Sequence, residues 1–132
     1  MALATSVSRS ALLSACADAF HWLSYSCSLK ILLETAKIVP AVNQIEMHPH
    51  QAQPELLEFC KQHGIVLTAY SPTGYAQVAS DPTIVTLAEK YRVSPAQISV
   101  AWHVARGTTA VPKSRDAQRQ RANLWVRCRP QR

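Results

Sequence analysis

Three short stretches hold the side chains that could act on one ligand: Gln44–His50, Tyr70–Gly74 and Lys113–Arg119. Together they offer an amide, an aromatic ring, hydroxyls and several cations. Such a set suits an aromatic, phosphorylated ligand, because a ring stacks on a ring and cations meet phosphate through charge-assisted hydrogen bonds. Other combinations carry less. His48 and His50 form an H-x-H that could bind a metal, but Pro49 lies between them and no third ligand is near in sequence. Glu46 and Glu55 could be drawn as an acid/base pair, yet nothing in the sequence fixes their geometry, so both read as structural or solvated. Cys60 falls on a helix expected to pack, which argues against a nucleophile. Tyr75 and Tyr91 read as surface or packing residues. Taken alone, Tyr70 at the end of a buried strand would read as core. Neither GxGxxG nor GxxxxGK[ST] occurs, so both glycine-rich phosphate cradles are missing.

Those stretches need elements to bring them together. Leu29, Leu32, Leu33 and Ala36 recur at helical spacing in LKILLETAK, and AVNQIEM (41–47) reads as a strand. A helix over 53–63 follows, with Pro54 in its first turn, Gly64 just past its end, and Leu56, Leu57 and Cys60 on one side. IVLTAY (65–70) is the apolar run of a strand buried on both faces, broken by Ser71-Pro72-Thr73-Gly74. Asp81-Pro82 opens a helix to about Tyr91. Ser94-Pro95-Ala96-Gln97 is a capping box starting a helix that ends at Gly107, with Ile98, Trp102 and Ala105 on one face. Residues 108–111 read as a third strand and 116–124 as a last helix. Helices thus separate successive strands and no hairpin signal occurs, which means parallel strands and an α/β fold. Ligands of such folds sit at the carboxyl ends of the strands, where the three stretches lie.

Composition bounds the reading further. The chain has 132 residues, 48% hydrophobic and 17% charged, which fits one globular domain able to bury a core. No apolar run approaches the roughly 18–20 residues of a membrane span. Residues 1–112 balance seven basic against seven acidic side chains, so the net charge of +6 resides in residues 113–132. That basic end, with Trp125, admits an arginine-rich nucleic-acid-binding reading that no RNA-binding fold supports. Cys16, Cys27, Cys60 and Cys128 show no CxxC spacing, so reduced cysteines and a cytoplasmic location are expected. The Ser- and Ala-rich N-terminus, with a short helix conceivable around 10–22, faintly resembles an organellar transit peptide.

PAVNQIEMHP, CKQHGIVLTAYSPTG, SPAQISVAW and AVPKS, followed by Arg119 and Asn123, resemble in order and spacing the C-terminal part of the aldo-keto reductase family, particularly its fungal type. The resemblance covers about residues 30–124. It implies an eight-stranded β/α barrel binding NADP(H), a fold of about 250 residues. This chain would then supply strands six, seven and eight with their helices, an incomplete (β/α)8 barrel. The organisation implied is an unmatched segment 1–28, a partial oxidoreductase domain 29–124 and an unmatched basic tail 125–132.

The resemblance also implies roles. Gln44 would bond the nicotinamide carboxamide, Tyr70 would stack on the nicotinamide, and Ser71 would contact the pyrophosphate. Lys113, Ser114 and Arg119 would hold the 2′-phosphate, and Asn123 would reach the adenine. His48-Pro49 would shape the pocket wall at the end of strand six. Several departures stand against full activity. The family's tetrad of tyrosine, lysine, aspartate and histidine lies on first-half strands that are not represented. SYSCS replaces a serine–asparagine pair after strand five, and Ala122 stands where the family has a glutamate. The chain therefore reads as a truncated NADP(H)-dependent reductase of aldehydes or ketones, with ends from other sequence as a gene-model or splicing product would have. It would act on a small carbonyl substrate only if complemented. The alternative is a non-catalytic remnant or interaction fragment whose exposed strand edges self-associate.

Overall fold

The structure, a computed structural model, describes residues 26–124. The helix expected around 10–22, the targeting reading and the basic tail 125–132 lie outside the described residues. The chain divides into two compact units, residues 1–37 and 38–132. The first contains helix α1 (Ser26–Thr35), which ends within LKILLETAK, two residues short of the end of that segment. An irregular stretch ending in Pro40 follows it.

The second unit runs β1 (Val42–Glu46), α2 (Pro54–Gln62), β2 (Val66–Tyr70), α3 (Tyr75–Ala79), α4 (Pro82–Tyr91), α5 (Pro95–Ala105), β3 (Thr109–Ala110) and α6 (Ala117–Leu124). The strands form one parallel sheet in the order β1-β2-β3, the α/β arrangement expected from alternating strands and helices. Gln44 pairs with Thr68 and Glu46 with Tyr70, while Thr68 and Ala69 pair with Thr109 and Ala110.

Because a strand alternates its side chains, this register sorts residues between two faces. Asn43, Ile45, Met47, Leu67 and Ala69 are buried, together with Leu56, Leu57 and Cys60 from α2 and Ile84 and Ala88 from α4. Val42, Gln44, Val66 and Tyr70 point the other way and are exposed. The expectation that β2 is buried on both faces is therefore corrected. Its burial alternates, because among the described residues of this unit no element covers the second face. The third strand is also shorter than 108–111. Val111 still donates to Ala69 O at 3.0 Å, but Pro112 has no N–H with which to continue the ladder.

Helix ends follow local chemistry closely. Asp81 accepts from the backbone N–H groups of Thr83 and Ile84, capping α4. Ser94 and Gln97 form the reciprocal capping box of α5. Gly64 and Gly107 take left-handed backbones just beyond α2 and α5. Two features depart from the sequence reading. The short helix α3 fills the gap between Gly74 and Asp81. On α5 the buried residues are Ser99, Val100 and His103, while Ile98 and Trp102 are half-buried and Ala105 is exposed. The PAQISVAWHVA helix carries apolar groups all round, so periodicity could not choose its inner face.

The capping box also joins two helices. Gln97 receives Ser94 N–H on Oε1 at 3.0 Å and donates from Nε2 to Ala122 O in α6 at 3.0 Å. Ser94→Ala should lower the unfolding free energy by about 1 kcal/mol, read from the urea midpoint at unchanged slope. An unchanged midpoint would show that the cap contributes nothing.

Candidate functional site

The carboxyl ends of β2 and β3 and the first turn of α5 enclose a groove of about 590 Å³ against α6. Ser71, Lys113, Ser114, Arg119 and Asn123 all line it. These five come from two stretches more than forty positions apart, and the β2–β3 pairing is what brings them together.

Ser71 sits in a left-handed backbone at φ +48°, a conformation that costs a non-glycine residue on the order of 1 kcal/mol. The turn Ser71–Gly74 is closed by Gly74 N–H to Ser71 O at 2.9 Å. Gly74 has φ +62°, and a Cβ there would run into the Val78 side chain and stand 3.0 Å from His48 Cγ. Only glycine meets both demands. The Ser71 hydroxyl lies 2.9 Å from the Tyr75 hydroxyl, so Tyr75, which the sequence reading assigned to surface or packing, contacts a site residue. Its own φ of +57° has no signature in sequence.

On the opposite wall, Ser114 Oγ accepts from Asp116 N–H at 3.1 Å, Asp116 Oδ1 accepts from Arg119 N–H at 2.7 Å, and Gln120 donates to Ser114 O at 2.8 Å. These bonds start α6 and fix the backbone that carries Arg119. The Ser114 hydroxyl thus organises the turn. The Arg119 side chain is 76% exposed, with Asp116 3.9 Å from Nε, an ion pair worth little in water. Lys113 is exposed beside them. The groove is therefore cationic at one end and hydroxylic at the other, as a phosphorylated ligand requires.

Gln44 and Tyr70 do not line the groove. Both lie on the open face of the sheet, Gln44 in a polar row with Thr68 and Thr109, whose hydroxyls are 2.6 Å apart. Tyr70 stands at the end of β2, directly before Ser71, so the open face and the groove meet there. The lone reading of Tyr70 as a core residue is corrected: it is 37% exposed, because the odd–even register turns it away from Ala69.

The remaining polar residues serve the scaffold. His48 Nε2 is 3.9 Å from Glu46, whereas His50 bonds Asp81 at 2.9 Å, so the two histidines turn to different carboxylates. Burial holds the His48 pKa below the usual histidine range against the opposing pull of Glu46. Cys60 is fully buried, and that burial raises its thiol pKa. Arg106 stacks over Trp102 at 4.4 Å and donates to Ala52 O at 2.8 Å, tying α5 to the segment before α2. Among the described residues, no helix is long and apolar enough to cross a membrane.

With this geometry in hand, comparison with known proteins gives consistent results. The pattern of the Aldo/keto reductase family matches residues 23–128, running past 29–124 at both ends. The chain is 46% identical to D-galacturonate reductase of Hypocrea jecorina, with 74% of this chain and 32% of that protein covered. It is 43% identical to glycerol 2-dehydrogenase (NADP(+)) of Saccharomyces cerevisiae, with 75% and 33% covered. The chain thus spans about a third of the length of these curated relatives. Among solved structures, it resembles a mutant of Gox0644 in complex with NADPH, at TM-score 0.73 and 38% identity over 77% of this chain and 38% of that one.

Half-buried His48 and buried His103 set a pH dependence. Burial depresses the pKa of His103 as well as that of His48, so both are neutral in the folded unit near neutral pH. Unfolded, each would titrate near about 6.5. On acidification the unfolded chain therefore takes up protons first. The stability these groups contribute is whole above that value and is lost as pH falls through their folded values. The urea midpoint should fall between pH 7.5 and pH 5; a flat profile would contradict the assignment.

Proposed function

The chain belongs to the aldo/keto reductase family, and we propose that its groove is the NADP(H)-binding portion of a carbonyl reductase site. The observation that carries this reading is the meeting of Ser71, Lys113, Ser114, Arg119 and Asn123 on one groove. Support also comes from the NADPH complex of a solved relative and from a curated relative named for NADP(+).

The residues fit the group. A 2′-phosphate demands cations free to meet it, and Arg119 and Lys113 are exposed at the cationic end. Arg119 supplies a planar fork on a backbone fixed by the α6 start. Asn123, one turn further along α6, offers an amide to a purine edge. Ser71 presents a hydroxyl where the β2 turn approaches, and Tyr70 and Gln44 provide a ring and an amide on the adjoining sheet face. The bound cofactor would supply a hydride for the carbonyl carbon. This chain's part is to hold and orient: charge at Lys113 and Arg119, a stacking surface at Tyr70, hydrogen bonding at Gln44.

In this reading the three strands are the sixth to eighth of a (β/α)8 barrel. The proton donor and its partners would belong to strands of the barrel's first half, and the part assigned to the residues described here is to bind and orient the cofactor. One observation favours a second reading, a non-catalytic interaction fragment: the open sheet face carries exposed Val42 and Val66, and β1 and β3 each have an unpaired edge among the described residues. Concentration-dependent sedimentation in place of cofactor binding would support it.

Fluorescence titration of the purified chain should show saturable NADPH binding, tighter than that of NADH. Arg119→Ala should weaken NADPH by about tenfold or more while barely altering NADH, the size of one charge-assisted contact. Equal affinity for the two cofactors, or no binding, would overturn the proposal.

A further inference from the structure

His103 is fully buried on α5, does not line the groove, and is not among the residues assigned above to the cofactor. A buried imidazole must satisfy two ring nitrogens with different needs. Its Nε2 lies 3.2 Å from Pro72 O and its Nδ1 3.2 Å from Thr108 Oγ1. A carbonyl only accepts, so Nε2 carries the proton. The Thr108 hydroxyl donates to His103 O at 3.0 Å and stands beside Nδ1. Thr108 N–H donates to the same carbonyl at 3.1 Å, which holds Thr108 beside the ring. The Trp102 ring packs edge-on at 4.9 Å.

Pro72 is the buried second residue of the Ser71–Gly74 turn. It has no N–H, so its carbonyl is its sole backbone means of anchoring the turn. The Ser71 backbone at φ +48° is unfavourable and persists only where neighbours over-determine it.

We infer that His103 is a positioning residue: by donating from Nε2 to Pro72 O, with Thr108 fixing its ring, it holds the Ser71–Gly74 turn in the shape that brings Ser71 to the groove. The inference rests on the cofactor reading for its functional consequence, and on the hydrogen bonds alone for the turn. Its action is indirect, through Pro72, which distinguishes it from the residues that would touch a ligand.

The test uses the full ¹⁵N-labelled chain, wild type, His103→Gln and His103→Leu. In wild type, imidazole nitrogen shifts should report the Nε2–H tautomer at pH 7; an Nδ1–H tautomer would overturn the inference without need of a variant. In His103→Leu, hydrogen-exchange protection of Gly74 N–H should fall at least about tenfold more than that of amides in β1 and α2. His103→Gln, whose amide can donate to Pro72 O, should restore part of it. A uniform loss across the unit, or an unchanged Gly74, would reduce His103 to ordinary packing and overturn the inference. Should His103→Leu fail to fold, the wild-type tautomer and the Gln variant still decide it. NADPH titration of the same proteins separates the two readings. Wild type failing to bind while Gly74 depends on His103 removes the cofactor reading and leaves the turn assignment standing. Wild type binding, with His103→Leu equally tight and Gly74 equally protected, removes the positioning role.

Discussion

Strand β2 is hydrogen-bonded on both sides, and its parallel pairing with β1 and β3 decides where every other part of the second unit falls. Parallel strands cannot be joined by tight turns, so the chain returns each time through helices. Those helices pack on the side where Ile45, Met47, Leu67 and Ala69 point, and burial of these residues supplies the main stabilisation. The same pairing aligns all the carboxyl ends at one edge of the sheet. The turn after β2 and the turn after β3 thereby become neighbours, and the groove between them is a consequence of that alignment.

Polar ties then fix loops that packing alone would leave free. His103 reaches the Pro72 carbonyl, Gln97 reaches Ala122, and Arg106 reaches Ala52, each spanning at least 25 positions from helix α5. One helix thus anchors the β2 turn, the α6 wall of the groove and the segment before α2. A helix with apolar residues on every side can serve this way because its polar members are few and each is directed at a buried or half-buried backbone carbonyl. Leaving such a carbonyl without a donor costs about 1–3 kcal/mol, so these contacts carry weight out of proportion to their number.

The candidate site has two characters because it spans two surfaces. The groove is cationic and hydroxylic, and its members sit on turns and a helix start where side chains can be aimed at an anion. The open sheet face presents Gln44, Thr68, Thr109 and Tyr70 on rigid strands, where a flat ring could be met at fixed height. Tyr70, the last residue of β2, and Ser71, the first of the turn, join the two. That layout suits an extended ligand with a charged end and an aromatic end, consistent with membership of the aldo/keto reductase family.

Local chemistry alone determined much of this. Proline at the first helical position, serine or aspartate at the cap, and glycine where φ must be positive marked α2, α4 and α5 to within a residue or two, since those signals act within one turn of helix. Two of the motif blocks carry groove residues just past strand ends, Ser71 after β2 and Lys113 and Ser114 after β3. What no local signal contained was which face of α5 turns inward, that Tyr75 meets Ser71, that β2 is covered on one side, and that His103 holds Pro72. In α5 the apolar residues surround the axis, so the choice of face depends on what the sheet and α4 leave to fill. The Ser71 and Tyr75 backbones are left-handed against their own preference, which neither residue type signals in the sequence. Capping and strand alternation are short-range and therefore written in the chain; the selection of partners across the sheet is a tertiary matter, decided by which buried polar groups can satisfy one another.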